Sequence, residues 1–154
     1  MAKVKAIFIS LLALIFSACS NGVDGPVSTI DPEESSTFDI SVTDVTATSA
    51  RVSVTSTDKA AHYYLEVLRA EYFEVYNTQY GFQRLVDSAI NALMTNNELT
   101  FNQALDLLLC KGCATKDFSA LEPNSSYYAV VIPIALNGHI HSKIVATSFT
   151  TDTE

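Results

Sequence analysis

Basic residues are scarce in this chain, and their shortage excludes one class of partner. The 154 residues contain nine Lys and Arg against seventeen Asp and Glu, a formal net charge of −8. A surface that binds double-stranded nucleic acid needs clustered Lys and Arg to displace the counterions of the phosphates, and the sequence has no such cluster. We therefore expect no nucleic-acid partner. For the same reason we expect no basic patch that holds anionic lipid headgroups.

Common catalytic signatures are also missing. The sequence contains no Gly-x-Ser-x-Gly, no phosphate-binding loop and no His-Glu-x-x-His. After the amino-terminal segment, no second apolar stretch is long enough to span a bilayer. We therefore expect a protein that is not an enzyme and that carries neither a cofactor nor a metal.

The first nineteen residues have the order of a bacterial export signal. Two lysines precede an apolar run over residues 6–16, which is too short to form a permanent membrane-spanning helix. Two small residues then lead to Cys19, the position of the lipidated cysteine in a lipobox, although Phe16 stands where Leu is usual. We predict that residues 1–18 are a lipoprotein signal peptide and that Cys19 becomes an amino terminus carrying lipid such as palmitate. The alternative is an ordinary secretory signal that leaves Cys19 as a thiol.

Residues 19–36 are predicted to be a flexible tether. They are rich in Gly, Pro, Ser, Thr and acids, and they cannot bury enough apolar area to order themselves. Removal of residues 1–18 takes away two lysines and no acid, which leaves a net charge of −10. We therefore predict attachment to a membrane through the lipid, in a bacterial envelope. Ser20 favours the outer membrane, on its periplasmic or its surface-facing side.

Alternating apolar and polar residues predict a β-rich domain. Period-two patterns mark strands at residues 37–43, 50–55 and 62–68. Two longer runs, residues 127–136 and 139–149, are joined by Asn137-Gly138, which predicts a tight type I′ hairpin. Short strands separated by turn signals indicate a β-sandwich.

One motif resembles a known family. Leu121-Glu122-Pro123-Asn124-Ser125-Ser126-Tyr127 is similar to the Leu-x-Pro-x-x-x-Tyr corner of fibronectin type III domains. The resemblance covers residues 37–69 and 115–151, and it implies that the Tyr127 hydroxyl bonds back to the preceding turn. It implies a mostly β, immunoglobulin-like sandwich over residues 37–151 with an inserted α-helical segment. The chain has no Trp, which this family usually buries, so Tyr, Phe and aliphatic side chains must fill the core.

The wider organisation is also similar to known proteins. A lipobox, a tether and an interrupted fibronectin type III-like domain together resemble lipoproteins of unknown function in Bacteroidetes-type bacteria. That likeness implies no activity.

Residues 70–114 form the predicted insertion, and their apolar period is helical. One helix carries the stripe Phe82, Leu85, Val86, Ala89, Ile90, Leu93 and Met94. A second helix is predicted to begin at Thr100, where Gln103 completes a capping box, and to end near Cys110 with Gly112 as its left-handed cap. A short helical piece is predicted over residues 71–76.

The helical stripes need a surface to cover. The family register places an apolar row on the outer face of the strand at 127–136, namely Tyr128, Val130, Ile132 and Ile134. We predict that the inserted helices cover this row; the alternative is an open surface for a partner. The family topology also places the insertion and its cysteines at the pole of the sandwich away from the tether.

Cys110 and Cys113 have Cys-x-x-Cys spacing. Outside the cytoplasm such a pair favours a disulfide, which we predict to be structural. Free thiols, redox catalysis and metal binding are the alternatives. The predicted position at a helix carboxyl end argues against a redox role, because the helix dipole there disfavours thiolate.

Two further groups have a structural and a functional interpretation. His62, His139 and His141 are predicted at the tether pole as solvated side chains, with a metal site as the less favoured alternative. Aromatic residues crowd the start of the insertion, namely Tyr72, Phe73, Tyr76, Tyr80 and Phe82. We favour packing for this cluster, and the alternative is a groove that binds a glycan or a peptide through Tyr72, Phe73, Tyr76 and Tyr80.

Together these features predict a lipid-anchored, non-catalytic module for binding or assembly in the cell envelope, with a protein or glycan partner. The alternative function is an envelope thiol-disulfide oxidoreductase that uses Cys110 and Cys113.

Overall fold

The computed structural model describes residues 37–153. The predicted signal peptide, the lipidation site Cys19 and the tether 19–36 lie outside the described residues. Within them, the elements follow in the order β1 (Phe38–Thr43), β2 (Ser49–Ser56), β3 (His62–Arg69), α1 (Ala70–Tyr76), α2 (Gln79–Asn97), α3 (Phe101–Leu108), β4 (Cys110–Lys111), β5 (Ala114–Ser119), β6 (Ser126–Pro133) and β7 (Val145–Thr150).

Two antiparallel sheets form a β-sandwich. One sheet has the strand order β1-β2-β5 and the other has the order β4-β3-β6-β7. The alternation within each strand turns one side chain in two toward the core between the sheets. That core contains Phe38, Ile40, Val52, Val54, Ala61, Tyr63, Leu65, Ala129 and Val131. The prediction of a mostly β sandwich with an inserted helical segment is confirmed.

Two pairs of aromatic rings pack within the sandwich. The rings of Phe38 and Tyr63 meet edge to face at 5.1 Å, and those of Tyr127 and Phe149 stack at 5.6 Å. The Tyr127 hydroxyl accepts a hydrogen bond of 2.8 Å from the backbone N–H of Glu122. The predicted bond from this tyrosine to the preceding turn is confirmed.

The three helices form a third layer on the outer face of the four-stranded sheet. A second apolar cluster joins the helices to β3 and β6 and comprises Tyr64, Phe73, Phe82, Leu85, Val86, Ala89, Ile90, Ala104, Leu105, Val130, Ile132 and Ile134. Val130, Ile132 and Ile134 are completely buried. The prediction that the helices cover this row is confirmed, and the alternative of an open surface is wrong.

Local signals place the helices well. The predicted capping box is present, because the Thr100 side chain accepts from the Gln103 backbone and the Gln103 side chain accepts from the Thr100 N–H at 2.9 Å. Helix α1 confirms the predicted helical piece over residues 71–76.

The chain reverses at Asn137-Gly138 as predicted, because the Ala135 N–H donates to the His139 carbonyl at 2.9 Å and an antiparallel bridge joins Ile134 to Ile140. The predicted type I′ turn and the long strand after it are wrong. Strand β7 begins only at Val145, and of the two turn residues only Gly138 has a positive φ. The loop instead folds against α2, where Gln83 donates to the Gly138 carbonyl and accepts from the Ile140 N–H, at 2.9 and 3.0 Å. The hydrogen bonds to Gln83 thus replace part of the strand pairing that the local pattern predicted over residues 139–149.

The predicted end of the second helix is also wrong. Helix α3 ends at Leu108, and Cys110 lies in β4, opposite Tyr63 at the beginning of β3. Gly112 is left-handed with φ 61°, but it lies in the turn after β4, where its N–H donates to the Ala61 carbonyl at 2.9 Å. The backbone at Cys110 and Lys111 pairs with the edge of β3, so the helix ends before these residues.

This register overturns the predicted position of the cysteines. We call the end of the sandwich at which β1 begins, β2 ends and β3 begins the amino-terminal pole. The insertion leaves β3 after Arg69 at the opposite pole, but β4 returns beside His62 and Tyr63. The cysteines therefore lie at the same pole as His62, because the helices carry the chain back along the sheet.

Candidate functional site

The outer side of α1 and the start of α2 expose large apolar side chains. Tyr72, Val75 and Tyr80 have exposed fractions of 48%, 73% and 75%. Tyr72 and Val75 are three residues apart in α1 and therefore lie on one face of it. We call these three residues the aromatic rim.

The neighbouring aromatics hold the rim on the sandwich. Phe73 is buried, and its ring stacks on that of Tyr128 with centroids 4.0 Å apart. The same ring lies 5.8 Å from that of Phe82 in α2. Aromatic pairs in such contact contribute beyond their buried area, so α1 is fixed to β6 and to α2.

The aromatic residues named as candidates for ligand binding therefore separate into two groups. Phe73 belongs to the core, and Tyr76 packs against the edge of that core. Tyr72 and Tyr80 point their rings outward. The favoured packing interpretation describes Phe73, Tyr76 and Phe82, and the binding interpretation remains a prediction for Tyr72 and Tyr80.

A close corner between α1 and α2 sets the spacing of the rim. The Thr78 hydroxyl accepts the Gly81 N–H at 2.9 Å and so caps α2. A Cβ added at Gly81 would lie 2.6 Å from the Tyr76 carbonyl oxygen, closer than any side chain tolerates. Glycine therefore allows α2 to begin directly against the end of α1, with Tyr80 beside this corner.

The rim offers flat apolar faces with hydrogen-bonding tips. The guanidinium carbon of Arg84 lies 6.0 Å from the Tyr80 ring centroid, at the outer limit of a cation–π contact. Glu71 and Glu74 are exposed on the same short helix. Such a surface can stack on a sugar ring or on an apolar side chain of a protein, and its phenols and charges can bond to polar groups beside it.

Cys110 lies in β4 and Cys113 in the turn between β4 and β5, so the pair is not at a helix end. Cys110 is partly buried opposite Tyr63, and burial raises the pKa of its thiol while the charge of Lys116 lowers it. A raised pKa reduces the thiolate fraction, which is the nucleophilic form. Cys110 and Cys113 are not joined by a disulfide in the structure, and their pairing remains a prediction.

The histidines lie at the predicted pole, but His139 and His141 are not in the strand predicted over residues 139–149. His62 begins β3, and His139 and His141 are exposed in the loop before β7. The cysteines lie at this pole too, and not at the opposite pole where the sequence predicted them. Among residues 37–153, however, no group of three or more His, Cys, Asp or Glu side chains is arranged to hold a metal ion.

One polar pair beneath the helices was not predicted from the sequence. The Tyr64 hydroxyl donates to the Glu66 carboxylate, whose other oxygen accepts the Val67 N–H at 3.0 Å. Burial raises the pKa of Tyr64 well above its ordinary value, and the charges of Glu66 and Cys110 raise it further. Tyr64 and Glu66 are two apart in a strand and so share a face, which is the signal that the sequence contained.

Comparisons with known proteins identify no family for this chain. No protein-family model matches it, and no curated protein matches it. Among solved structures, it is similar to a computationally redesigned β-sandwich protein, with 17% sequence identity and a TM-score of 0.40 over 75% of this chain and 92% of that one. Within residues 37–153, none of the helices is both long and apolar enough to cross a membrane.

Proposed function

We propose that this protein is a lipid-anchored, non-catalytic binding module of a bacterial cell envelope, and that the aromatic rim is its binding surface. The observation that carries the proposal is the exposure of Tyr72, Val75 and Tyr80 beside a fully packed core. Large apolar side chains that cluster on a surface are typical of sites that meet a partner. Tyrosine is well suited to this role because it contributes much contact area at a low cost in conformational entropy.

The rest of the helical layer supports this choice of surface. Its inward side chains already cover the outer face of β6, so the sheet needs no further cover. Packing accounts for Phe73 and Phe82 but not for the outward rings of Tyr72 and Tyr80. The rim therefore remains as apolar surface without an intramolecular role.

We further propose that the sandwich is fibronectin type III-like. Three strands face four, and the chain passes between the sheets in the order that this family uses. The hydrogen bond between the Tyr127 hydroxyl and the Glu122 N–H supports the same assignment. Modules of this kind commonly serve as scaffolds that present binding surfaces, so the proposal fits a protein without catalytic motifs.

The alternative function, a thiol-disulfide oxidoreductase, gains no support from the geometry. A redox nucleophile requires a lowered pKa at an accessible thiol. Cys110 has the opposite environment, because burial raises its pKa. Turnover that depends on Cys110 in a reductase assay would nevertheless establish the enzyme and contradict the binding proposal.

The test is a binding experiment with matched variants. The double variant Tyr72→Ser/Tyr80→Ser removes both exposed rings, and the control Leu107→Ser/Leu136→Ser removes two apolar side chains that are exposed elsewhere. Each protein is applied to a glycan array and to a peptide array of envelope proteins, and its melting temperature is measured in parallel. We expect the first variant to lose the signals that the wild type and the control share, with no change in melting temperature.

The two arrays separate the two classes of partner. A signal on glycans alone assigns a lectin-like role, and a signal on peptides alone assigns a role in assembly. Signals that survive in the Tyr72→Ser/Tyr80→Ser variant would place the binding surface elsewhere and would refute the assignment of the rim.

A further inference from the structure

The positive charges of the folded domain are unevenly placed. At the amino-terminal pole, three separate segments each carry one exposed lysine: Lys59 in the β2–β3 turn, Lys111 in β4 and Lys143 before β7. His62, His139 and His141 lie at the same pole. The acidic sequence has no cluster of basic residues and so predicts no basic patch. Lys59, Lys111 and Lys143 are far apart in the chain, and only the fold brings them to one end.

These lysines are not neutralised within the domain. Among residues 37–153, Lys59, Lys111 and Lys143 form no ion pair. The described turns of this pole contain one acid, Asp58, whose carboxylate accepts the Ala60 N–H at 2.8 Å, and exposed Asp39 lies one residue inside the start of β1. In the sequence, Asp31, Glu33 and Glu34 precede β1. One further carboxylate, that of Asp87 in α2, comes near the loop before β7, because the Gln83 amide donates both to it and to Gly138.

The turns at the opposite pole carry acidic residues. Its turns carry Asp44, Glu122 and Asp152. Both arginines near this end are held by acids at 2.7 Å, Arg51 by Asp44 and Asp117, and Arg69 by Glu122. The chain as a whole is acidic, but at physiological ionic strength charges act over only about 8 Å, so the local sign at each pole decides what approaches it.

The chain enters the sandwich at the pole that carries the three lysines. Strand β1 begins there, with Phe38 paired to Ser56 at the end of β2. Seventeen residues separate Cys19 from Thr37, and a segment of that length spans at most about 60 Å. A lipid on Cys19 would therefore keep this pole within reach of the bilayer and would raise its effective concentration there to about the millimolar range.

We propose that the amino-terminal pole docks on an anionic phospholipid surface through Lys59, Lys111 and Lys143. The inference rests on the proposed lipid anchor for its location, and on the charge distribution for its chemistry. Each lysine near an anionic surface strengthens binding about fivefold, the equivalent of about 1 kcal/mol, so three lysines give about a hundredfold preference. That preference is too weak to hold a free protein and is sufficient to orient a tethered one.

The experiment measures which lysines the bilayer protects. The chain from Cys19 onward receives a synthetic diacyl anchor at its amino terminus, so the result does not depend on whether cells acylate Cys19. It is bound to vesicles of neutral phosphatidylcholine or of equal parts phosphatidylcholine and phosphatidylglycerol. Acetylation rates of individual lysines are then read by mass spectrometry.

We expect Lys59, Lys111 and Lys143 to react about fivefold more slowly on the anionic vesicles, and the difference to disappear at high salt. Lys116 is the internal control, because it lies within β5, opposite Val52 in the middle of β2 and not in a turn of the pole, with its ammonium 5.1 Å from the Phe118 ring. Its rate should change less than theirs between the two vesicles. Equal protection of all four lysines, or of none, overturns the proposal.

A charge variant provides a second readout. The triple variant Lys59→Gln/Lys111→Gln/Lys143→Gln should bind both vesicle types with the same mobility, measured by fluorescence anisotropy of a label on the domain. The matched variant Lys116→Gln/Arg84→Gln should keep the wild-type difference. A triple variant that retains that difference also contradicts docking through these lysines.

Discussion

The substitution Ile132→Asp tests the packing of the helical layer directly. Ile132 is completely buried in β6, opposite Tyr64 of β3, in the cluster that joins the sheet to the helices. Loss of a buried isoleucine side chain costs about 2 to 5 kcal/mol. An unpaired buried carboxylate adds several kcal/mol more, and Glu66, which accepts from the Tyr64 hydroxyl, places a second carboxylate near the same face.

The sum is comparable to the whole stability of a domain of this size, about 5 to 15 kcal/mol. We therefore expect Ile132→Asp to be largely unfolded at neutral pH. Burial would raise the pKa of the new carboxyl group, so the folded form would retain its proton to a higher pH than the unfolded form does. The variant should regain part of its stability as the pH falls and lose it as the pH rises.

Guanidinium unfolding followed by far-ultraviolet circular dichroism gives the free energy of unfolding for three variants. Ile132→Val should cost about 0.5 to 1.5 kcal/mol. Ser148→Asp, at an exposed position of β7 in the same sheet, should change stability by no more than about 0.5 kcal/mol. An Ile132→Asp protein with the unfolding midpoint of the wild type would refute the packing described above.

Three further predictions concern the corner, the buried tyrosine and the anchor. Tyr127→Phe leaves the part-buried Glu122 N–H without its acceptor, so thermal unfolding should show a loss of about 1 to 3 kcal/mol. Burial raises the pKa values of Tyr64 and Cys110, so the folded domain binds these protons more tightly than the unfolded chain. The free energy of unfolding should therefore fall as the pH rises above about 9. The variant Tyr64→Phe should show a smaller loss of melting temperature at alkaline pH. Cys19→Ser should release the protein from the membrane fraction or leave it unprocessed, and unchanged detergent partitioning would contradict the lipid anchor.

Local sequence patterns predict most of the helices and strands because the residues that determine them are close together in the chain. The stripe from Phe82 to Met94 needs only the helical period, and the capping box at Thr100 needs only four consecutive residues. The cover of Ile132 also follows from the sequence, because an apolar row and an apolar stripe each needed a partner. The Tyr127 corner follows from a motif of seven residues.

The errors arise where a distant segment decides the conformation. The chain does reverse at Asn137-Gly138, but Gln83 binds the Gly138 carbonyl and the Ile140 N–H, and the segment does not continue as the predicted long strand. The helical pattern of apolar residues continues toward Cys110, but the backbone of Cys110 pairs with the edge of β3 and forms a strand. The cluster of Lys59, Lys111 and Lys143 at one pole has the same cause, since their proximity depends on the path of the helices.

That path also separates the two proposed surfaces, and the separation is testable. Helix α1 follows β3 directly after Arg69 and so begins at the opposite pole, whereas the lysines lie where β3 begins. A domain docked through its lysines would therefore turn the start of α1, with Tyr72, away from the bilayer. The Lys59→Gln/Lys111→Gln/Lys143→Gln variant should bind the partner of the aromatic rim with the wild-type affinity, and Tyr72→Ser/Tyr80→Ser should retain the protection of all three lysines on anionic vesicles. If either set of substitutions abolished both properties in a folded protein, the two surfaces would not be independent. The contact that could then couple them is that of Gln83, three residues after Tyr80, with Gly138 and Ile140 in the loop that carries Lys143.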